Sequence, residues 1–214
     1  MKEHQTNQIN SREIILSNLR KAGKRAWEER WSEVVPEGNV FDIVSDRPAN
    51  FKKELEGLGG EVFIENDEAQ AWKRLKELEQ KRGWKKFLIA DEELKKKCLK
   101  YDLPVSDFEA GEEDEDMSVG LTGCEALIAF SGSVMVSSAS SGRKINIFPS
   151  IQVVIASKDL LVDYIQDGFE RIEEKYGHRP SQISLISGPS RTADIEKTLV
   201  MGAHGPRELI IIIY

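Results

Sequence analysis

The stretch "SGPSRTADIEKTLVMGAHGPREL", residues 187–209, gathers two Gly-Pro pairs, two arginines, acidic residues and one of the chain's three histidines. A strand "ISLIS" runs into it, Gly188 and Pro189 turn the chain, and a helix is predicted to begin near Thr192. A helix start presents unpaired backbone N–H groups and a positive end, so the pattern predicts a small-anion site at the carboxyl edge of a sheet. Its candidate residues are Gly188, Ser190, Arg191, Thr192 and Asp194, with Arg191 suited to a bidentate grip on carboxylate or phosphate. Asp194 is equally able to pair with Arg191 and leave nothing free for a ligand. His204 adds an imidazole that suits general acid–base work or donation to an anion, or else a plain solvent-exposed turn. Gly202 suits a helix C-cap and Gly205-Pro206 a turn, so these residues need no ligand to explain them.

Two further segments carry polar chemistry. "SSASSGRKINIFP" reads as a flexible lid whose Arg143 and Lys144 would close over an anion, or as an ordinary surface turn. "ALIAF" and "VMVSS" read as two short strands around a tight turn holding Ser131 and Gly132. Other chemistries find no pattern. Cys98 and Cys124 stand apart without C-x-x-C clustering, and His4, His178 and His204 are scattered, so the spacing predicts no metal site. No Walker A or G-x-G-x-x-G motif opens a helix, and Ser190 lacks the second glycine of a G-x-S-x-G elbow.

The elements that must position these residues alternate along the chain. "NSREIILSNLRKAGKRAWEERW" predicts an amphipathic helix capped by Asn10 with Glu13 three residues on, and with Ile15, Leu19 and Ala22 at helical spacing. From Pro48 the pattern runs helix to Leu58, a Gly59-Gly60 break, strand "EVFI", helix over 67–81, strand "KKFLIA" and helix over 92–100. Such alternation predicts an α/β domain with a parallel sheet. The acidic run over 109–116 predicts a solvated loop, because its carboxylates lack metal-loop spacing. Beyond it, "QVVIAS" predicts a buried strand, and residues 158–176 a helix with Leu161, Ile165, Phe169 and Ile172 along one core-facing stripe. The closing "ELIIIIY" predicts a strand inside a sheet.

Composition narrows the partners. Thirty basic and thirty-seven acidic residues give a net charge of -7, which argues against a broad nucleic-acid or anionic-membrane footprint but leaves room for a local anion pocket. With 40% hydrophobic and 31% charged residues, the chain has globular composition. "MKEHQTNQINSRE" offers no signal-peptide core and the apolar runs are short, so a cytoplasmic protein without membrane insertion is expected.

Taken together, "VGLTGCEALIAFSGSVMVSS", "SGRKINIFPSIQVVIAS" and "ISGPSRTADIEKTLVMGAHGPREL" resemble the LUD-domain family of lactate utilisation proteins. The resemblance implies a fold like the NagB, ribose-5-phosphate isomerase and CoA-transferase group, a three-layer α/β/α sandwich on a Rossmann-like, mainly parallel sheet. It divides the chain into an N-terminal helical extension over 1–35 and a LUD domain over 36–214, with the most specific motifs over 119–214. It also implies a part in oxidising L-lactate to pyruvate beside two other proteins, at least one carrying iron–sulfur clusters. Clusters are thus expected on the partners, and no cofactor in this chain. Where the family usually reads an acidic residue, Thr and Gly after the "ALIA" strand, this chain has Phe130, Ser131 and Gly132. In related CoA-transferases a glutamate in a similar turn forms the covalent intermediate, which Phe130 cannot do. Glu125, five residues earlier, is expected on the opposite face of the strand and is a poor substitute. A free-standing isomerase or transferase on a phosphorylated or carboxylate metabolite, and a non-catalytic assembly module, are the competing readings.

Overall fold

A computed structural model describes residues 11–21, 44–106, 118–192, 200–202 and 205–214. The chain divides into two compact units, Met1–Ile43 and Val44–Tyr214. In the first, helix α1 (Ser11–Lys21) carries Glu13 in its opening turn, where a carboxylate complements the helix dipole.

The second unit is built on six parallel strands. They are β1 (Glu61–Ile64), β2 (Lys86–Leu88), β3 (Val105–Ser106), β4 (Ser118–Thr122), β7 (Ile151–Ala156) and β12 (Glu208–Ile213), in the spatial order β1-β12-β7-β4-β2-β3. The near-continuous apolar run of β12 is explained by its place between β1 and β7, where both faces are covered. Its side chains alternate between two cores. Ile210 and Ile212 join Val153 and Ile155 on one face, while Leu209, Ile211 and Ile213 join Val154 and Ala156 on the other. A buried isoleucine contributes roughly 1.5–3 kcal/mol, so a one-residue slip that exchanged the faces would be strongly opposed.

The first face is covered by α3 (Glu68–Arg82), which buries Ala71, Trp72, Leu75 and Leu78, and by α4 (Glu92–Lys100) through Cys98. Both helices are punctuated as their sequences dictate. The Asp67 carboxylate accepts from Gln70 N, the Asp91 carboxylate accepts from Glu93 N and Leu94 N, and Gly83 ends α3 in the left-handed region at φ +67°. The second face carries α2 (Arg47–Gly57), burying Phe51 and Leu55, beside a four-stranded sheet. This smaller sheet orders β8 (Leu161–Val162), β5 (Ala126–Ile128), β6 (Ser133–Ser137) and β9 (Ile183–Ile186), and α5 (Ile165–Tyr176) packs its outer side through Ile172 and Phe169. The mainly parallel α/β sandwich is present, and on one side a β layer is inserted between the parallel sheet and its helix. The hairpin was legible in sequence; its enlargement into a sheet was not.

One predicted helix is shortened. Residues 158–160 form a 3-10 turn, Leu161-Val162 pair with Leu127-Ile128 as β8, and the helix begins only at Ile165. Its start is fixed by the Asp167 carboxylate, which accepts from Tyr164 N at 2.8 Å. Leu161 therefore joins the core between the sheets as a strand residue and Ile165 is 41% exposed, so of the predicted stripe only Phe169 and Ile172 pack inward from the helix. The acidic run over 109–116 lies outside the described residues.

Candidate functional site

The turn between β5 and β6 is docked on α2. Gly132 has φ +61°, and a Cβ there would fall against the backbone N of Leu55 and 2.8 Å from the carbonyl carbon of Glu54. No side chain fits such an approach, which is why glycine stands here. The Asn50 amide donates to Ala129 O at 2.8 Å and fastens the same turn. Beyond it Ser131, Ser133 and Ser187 form a hydroxyl ladder with O···O distances of 2.8 and 2.7 Å. Three hydroxyls own three protons and the two ladder bonds consume two, so one donor is unspent among the described contacts.

Ser187 leads into the glycine turn singled out by its sequence. Gly188, at φ +96°, passes so close to α2 that a Cβ would stand 2.9 Å from Leu58 O. Ser190 N donates to Pro206 O and Ser190 O accepts from Gly202 N, at 2.8 and 2.9 Å. Arg191-Thr192 then form a short strand, β10, antiparallel to β11 (Val200–Met201). Thr192 itself is taken by a strand partner, and residues 193–199, where the predicted helix would run, lie outside the described residues. The position in the sheet also differs. Arg207 N and Glu208 N both donate to Ser150 O, immediately before β7, so the motif gathers at the amino ends of β7 and β12 rather than at their carboxyl edge. The physical reason is that the strand entering the turn, β9, belongs to the smaller sheet, antiparallel to β6. Asp194 and His204 lie outside the described residues.

Arg191 is exposed and lies across the Gly59-Gly60 break. A Cβ on Gly59, itself at φ +87°, would stand 2.6 Å from its Nη2. Among the described residues no carboxylate engages this guanidinium. Three other arginines are spent: Arg47 grips Asp163 with both prongs at 2.7 and 2.9 Å, Arg74 holds Glu65 and Glu77, and Arg82 bridges Glu61 and Glu208. A guanidinium with no carboxylate partner among the described residues, in the turn that follows a hydroxyl ladder with a donor to spare, is an arrangement that can take a carboxylate or phosphate.

Arg143 and Lys144 are placed differently. Arg143 donates to Ser181 Oγ at 2.9 Å, ahead of β9, whereas Gly188 follows the end of that strand. The Lys144 ammonium lies 5.9 Å from the centre of the Phe148 ring. The Gly/Ser-rich turn around them is a folded wall. Ser141 Oγ donates to Ser137 O, Asn146 Nδ2 to Ser141 Oγ, and buried Gln152 Nε2 to Thr122 Oγ1. Phe130 is 44% exposed and tilts against Tyr164 at 5.4 Å, so the turn presents a ring where the resemblance leads one to look for an acid.

Glu125 stands at the other end of the same hairpin. It is 3% exposed, and its Oε1 accepts from Ser137 Oγ, Ser140 Oγ and Tyr176 OH at 2.5, 2.7 and 3.1 Å, while Lys175 Nζ donates to Oε2 at 2.9 Å. Burial alone would raise its pKa. The hydrogen bonds from Ser137, Lys175 and Ser140 outweigh burial and hold the carboxyl below its ordinary value. This buried carboxylate was not foreseen. The available signal was one acid among apolar residues in "CEALIA", followed by the serine run of residues 137–141.

A cleft of about 420 Å³ runs along the outer edge of β1, lined by residues including Lys52, Glu56, Glu65 and Arg74. These four charges pair with one another, as Lys52–Glu56 and Arg74–Glu65, which leaves the cleft no net attraction for an anion. Among the described residues no cluster of potential metal ligands occurs, and no helix is long and apolar enough to cross a membrane.

Comparison with known proteins places this arrangement. The chain is 30% identical to Lactate utilization protein C of Anoxybacillus flavithermus over 156 residues, 68% of this chain and 70% of that protein. It is 36% identical to Lactate utilization protein C of Bacillus subtilis over 108 residues, 47% of this chain and 45% of that protein; with this relative the match spans under half of its length. A crystal structure of a DUF162 family protein from Deinococcus radiodurans shares the fold with a TM-score of 0.56, at 18% identity, over 78% of this chain and 95% of that one. The LUD domain matches residues 48–214, and the chain belongs to the LUD-domain family.

Proposed function

We propose that this chain is a LUD-domain component of an L-lactate utilisation system and that it binds a small anion at the Gly188–Arg191 turn. The observation that carries the reading is the Arg191 guanidinium, laid across Gly59 with no carboxylate among the described residues to neutralise it. The relatives named Lactate utilization protein C support the metabolic setting. Converting L-lactate to pyruvate withdraws two electrons and two protons, and in this reading the electrons go to iron–sulfur partner proteins. Cluster ligation needs thiolates, usually four. This chain has two cysteines, each buried, and burial pushes both thiols up to about 12, which keeps them protonated and poor ligands. Free thiols of this kind also suit the reducing cytoplasm.

Covalent acyl transfer finds less support, because Phe130 occupies the turn and Glu125 is engaged by four donors at the far end of the hairpin. The reading is tested in two steps. Deleting the gene should abolish growth on L-lactate, and affinity isolation from native extract should recover cluster-bearing proteins. Undiminished growth on L-lactate would sink the metabolic assignment. Anion binding is checked on the purified chain by ligand-dependent thermal stabilisation, which Arg191→Ala should erase.

A further inference from the structure

A second arginine accompanies Arg191 at the amino end of the parallel sheet. Arg207 is exposed, and among the described residues no carboxylate pairs with it. Its side chain lies flat on Gly202, a glycine at φ +80°, with Nε 3.0 Å from the place a Cβ would occupy and Cγ nearer still. Gly202 N donates to Ser190 O, and Ser190 N donates to Pro206 O. Arg191 and Arg207 thus each follow one member of the bonded pair Ser190 and Pro206. The Gly59 platform leads to the same place. β1 runs level with β12, Glu61 beside Ile210, so continuing that register two residues back sets Gly59 beside Glu208, the neighbour of Arg207. Adjacent strands lie about 4.8 Å apart.

Among the described residues, four acids on the neighbouring elements are matched elsewhere. Glu61 and Glu208 are both held by Arg82, each at 2.6 Å. Glu54 and Glu56 are matched by Lys53 and Lys52. Two like charges therefore share one sheet end in a chain whose net charge is -7, each resting on a glycine that leaves room for it. One guanidinium satisfies one carboxylate, and a single-charged anion would leave the second unmatched.

We infer that Arg207 is a second binding residue beside the Gly188–Arg191 turn, and that this end of the sheet takes an anion with two negative charges in preference to a monocarboxylate. This rests on the reading that an anion binds at the Gly188–Arg191 turn and adds the class of that anion. The ligand is a dicarboxylate or a phosphate, and lactate alone is the weaker occupant.

The experiment is calorimetric titration of the purified chain, and of Arg191→Ala and Arg207→Ala, with malonate, inorganic phosphate and L-lactate at one ionic strength. In the unaltered chain a dianion should bind about tenfold more tightly than L-lactate, as one added charge-assisted contact allows. Arg207→Ala should remove that preference while retaining weak binding of all three, and Arg191→Ala should weaken all three. Malonate ahead of phosphate identifies a dicarboxylate site, and the reverse order a phosphate site. Equal affinity for L-lactate and both dianions, or a preference unchanged in Arg207→Ala, overturns the inference while leaving the anion site standing. Absence of binding by every probe overturns the anion site itself, and the inference with it.

Discussion

The two ends of the β5–β6 hairpin are both rich in serine, yet they are opposite in what they leave unspent. At the Glu125 end, four donors from Ser137, Ser140, Lys175 and Tyr176 converge on one buried carboxylate. At the Gly132 end, among the described residues, the Ser131–Ser133–Ser187 ladder keeps a proton to donate and Arg191 has no carboxylate partner. A closed polar cluster within a core fixes one arrangement of the chain, because each partner lost exposes another group to the cost of burial without a bond. An open one has donors still to give. The difference teaches that polar composition does not mark a site: the balance of donors against acceptors does.

That contrast breaks most severely at the turn which holds the open end in place. Gly132→Ala needs a left-handed Ala and drives its methyl into the backbone of α2, which cannot yield as a flexible side chain would. We expect a loss of about 4 kcal/mol in chemical denaturation, with anion binding lost along with the turn. A stable Gly132→Ala protein would mean that the docking of the turn on Leu55 is dispensable. Next comes the closed end. Glu125→Ala strands three hydroxyls and an ammonium and should cost about 3 kcal/mol, whereas Lys175→Met should cost only about 1 kcal/mol, since the lysine side chain is 55% exposed and already shares its charge with water. Neither should alter anion affinity. A shift in binding by either variant would show the two ends to be one coupled system.

Acid sharpens the same distinction. The folded-state pKa of Glu125 lies below its ordinary value, so its contribution is present above the unfolded carboxyl pKa and is lost as pH falls through the folded one. Lowering pH from about 6 to about 3 should therefore narrow the stability gap between the unaltered protein and Glu125→Gln. Urea midpoints measured across that range check it, and a gap that stays constant would assign the lost stability to other acids.

What the sequence disclosed follows the range over which each signal acts. β1 at Glu61–Ile64 and α4 at Glu92–Lys100 were legible to the residue, because apolar periodicity, Gly59-Gly60 and the capping Asp91 are local. The stripe of residues 161–172 misled, because β8 depends on a partner, Leu127-Ile128, more than thirty residues away. The candidate site shows the same division. Gly188, Ser190 and Arg191 were legible as a turn with donors, but not the end of the sheet that holds them, since that follows from β9 pairing with β6. Arg207 stands just before the closing strand and carries no signal of its own in the sequence. Its place against Gly202, and beside the Ser190–Pro206 bond, comes from long-range pairing.

The smallest expected effect on stability is the one that separates a binding residue from a structural one. Arg191 and Arg207 are exposed and make no ion pair among the described residues, so Arg191→Ala and Arg207→Ala should each leave the unfolding free energy within about 0.5 kcal/mol of the unaltered protein. The double variant should match or slightly exceed it, because removing both charges relieves their mutual repulsion, and that gain should fade as salt is added and screens the pair. Urea denaturation at low and high ionic strength measures both. A loss of 2 kcal/mol or so from either single variant would show that the arginine is spent on the fold, as Arg47 is on Asp163, and the contrast between the two ends of the hairpin would collapse.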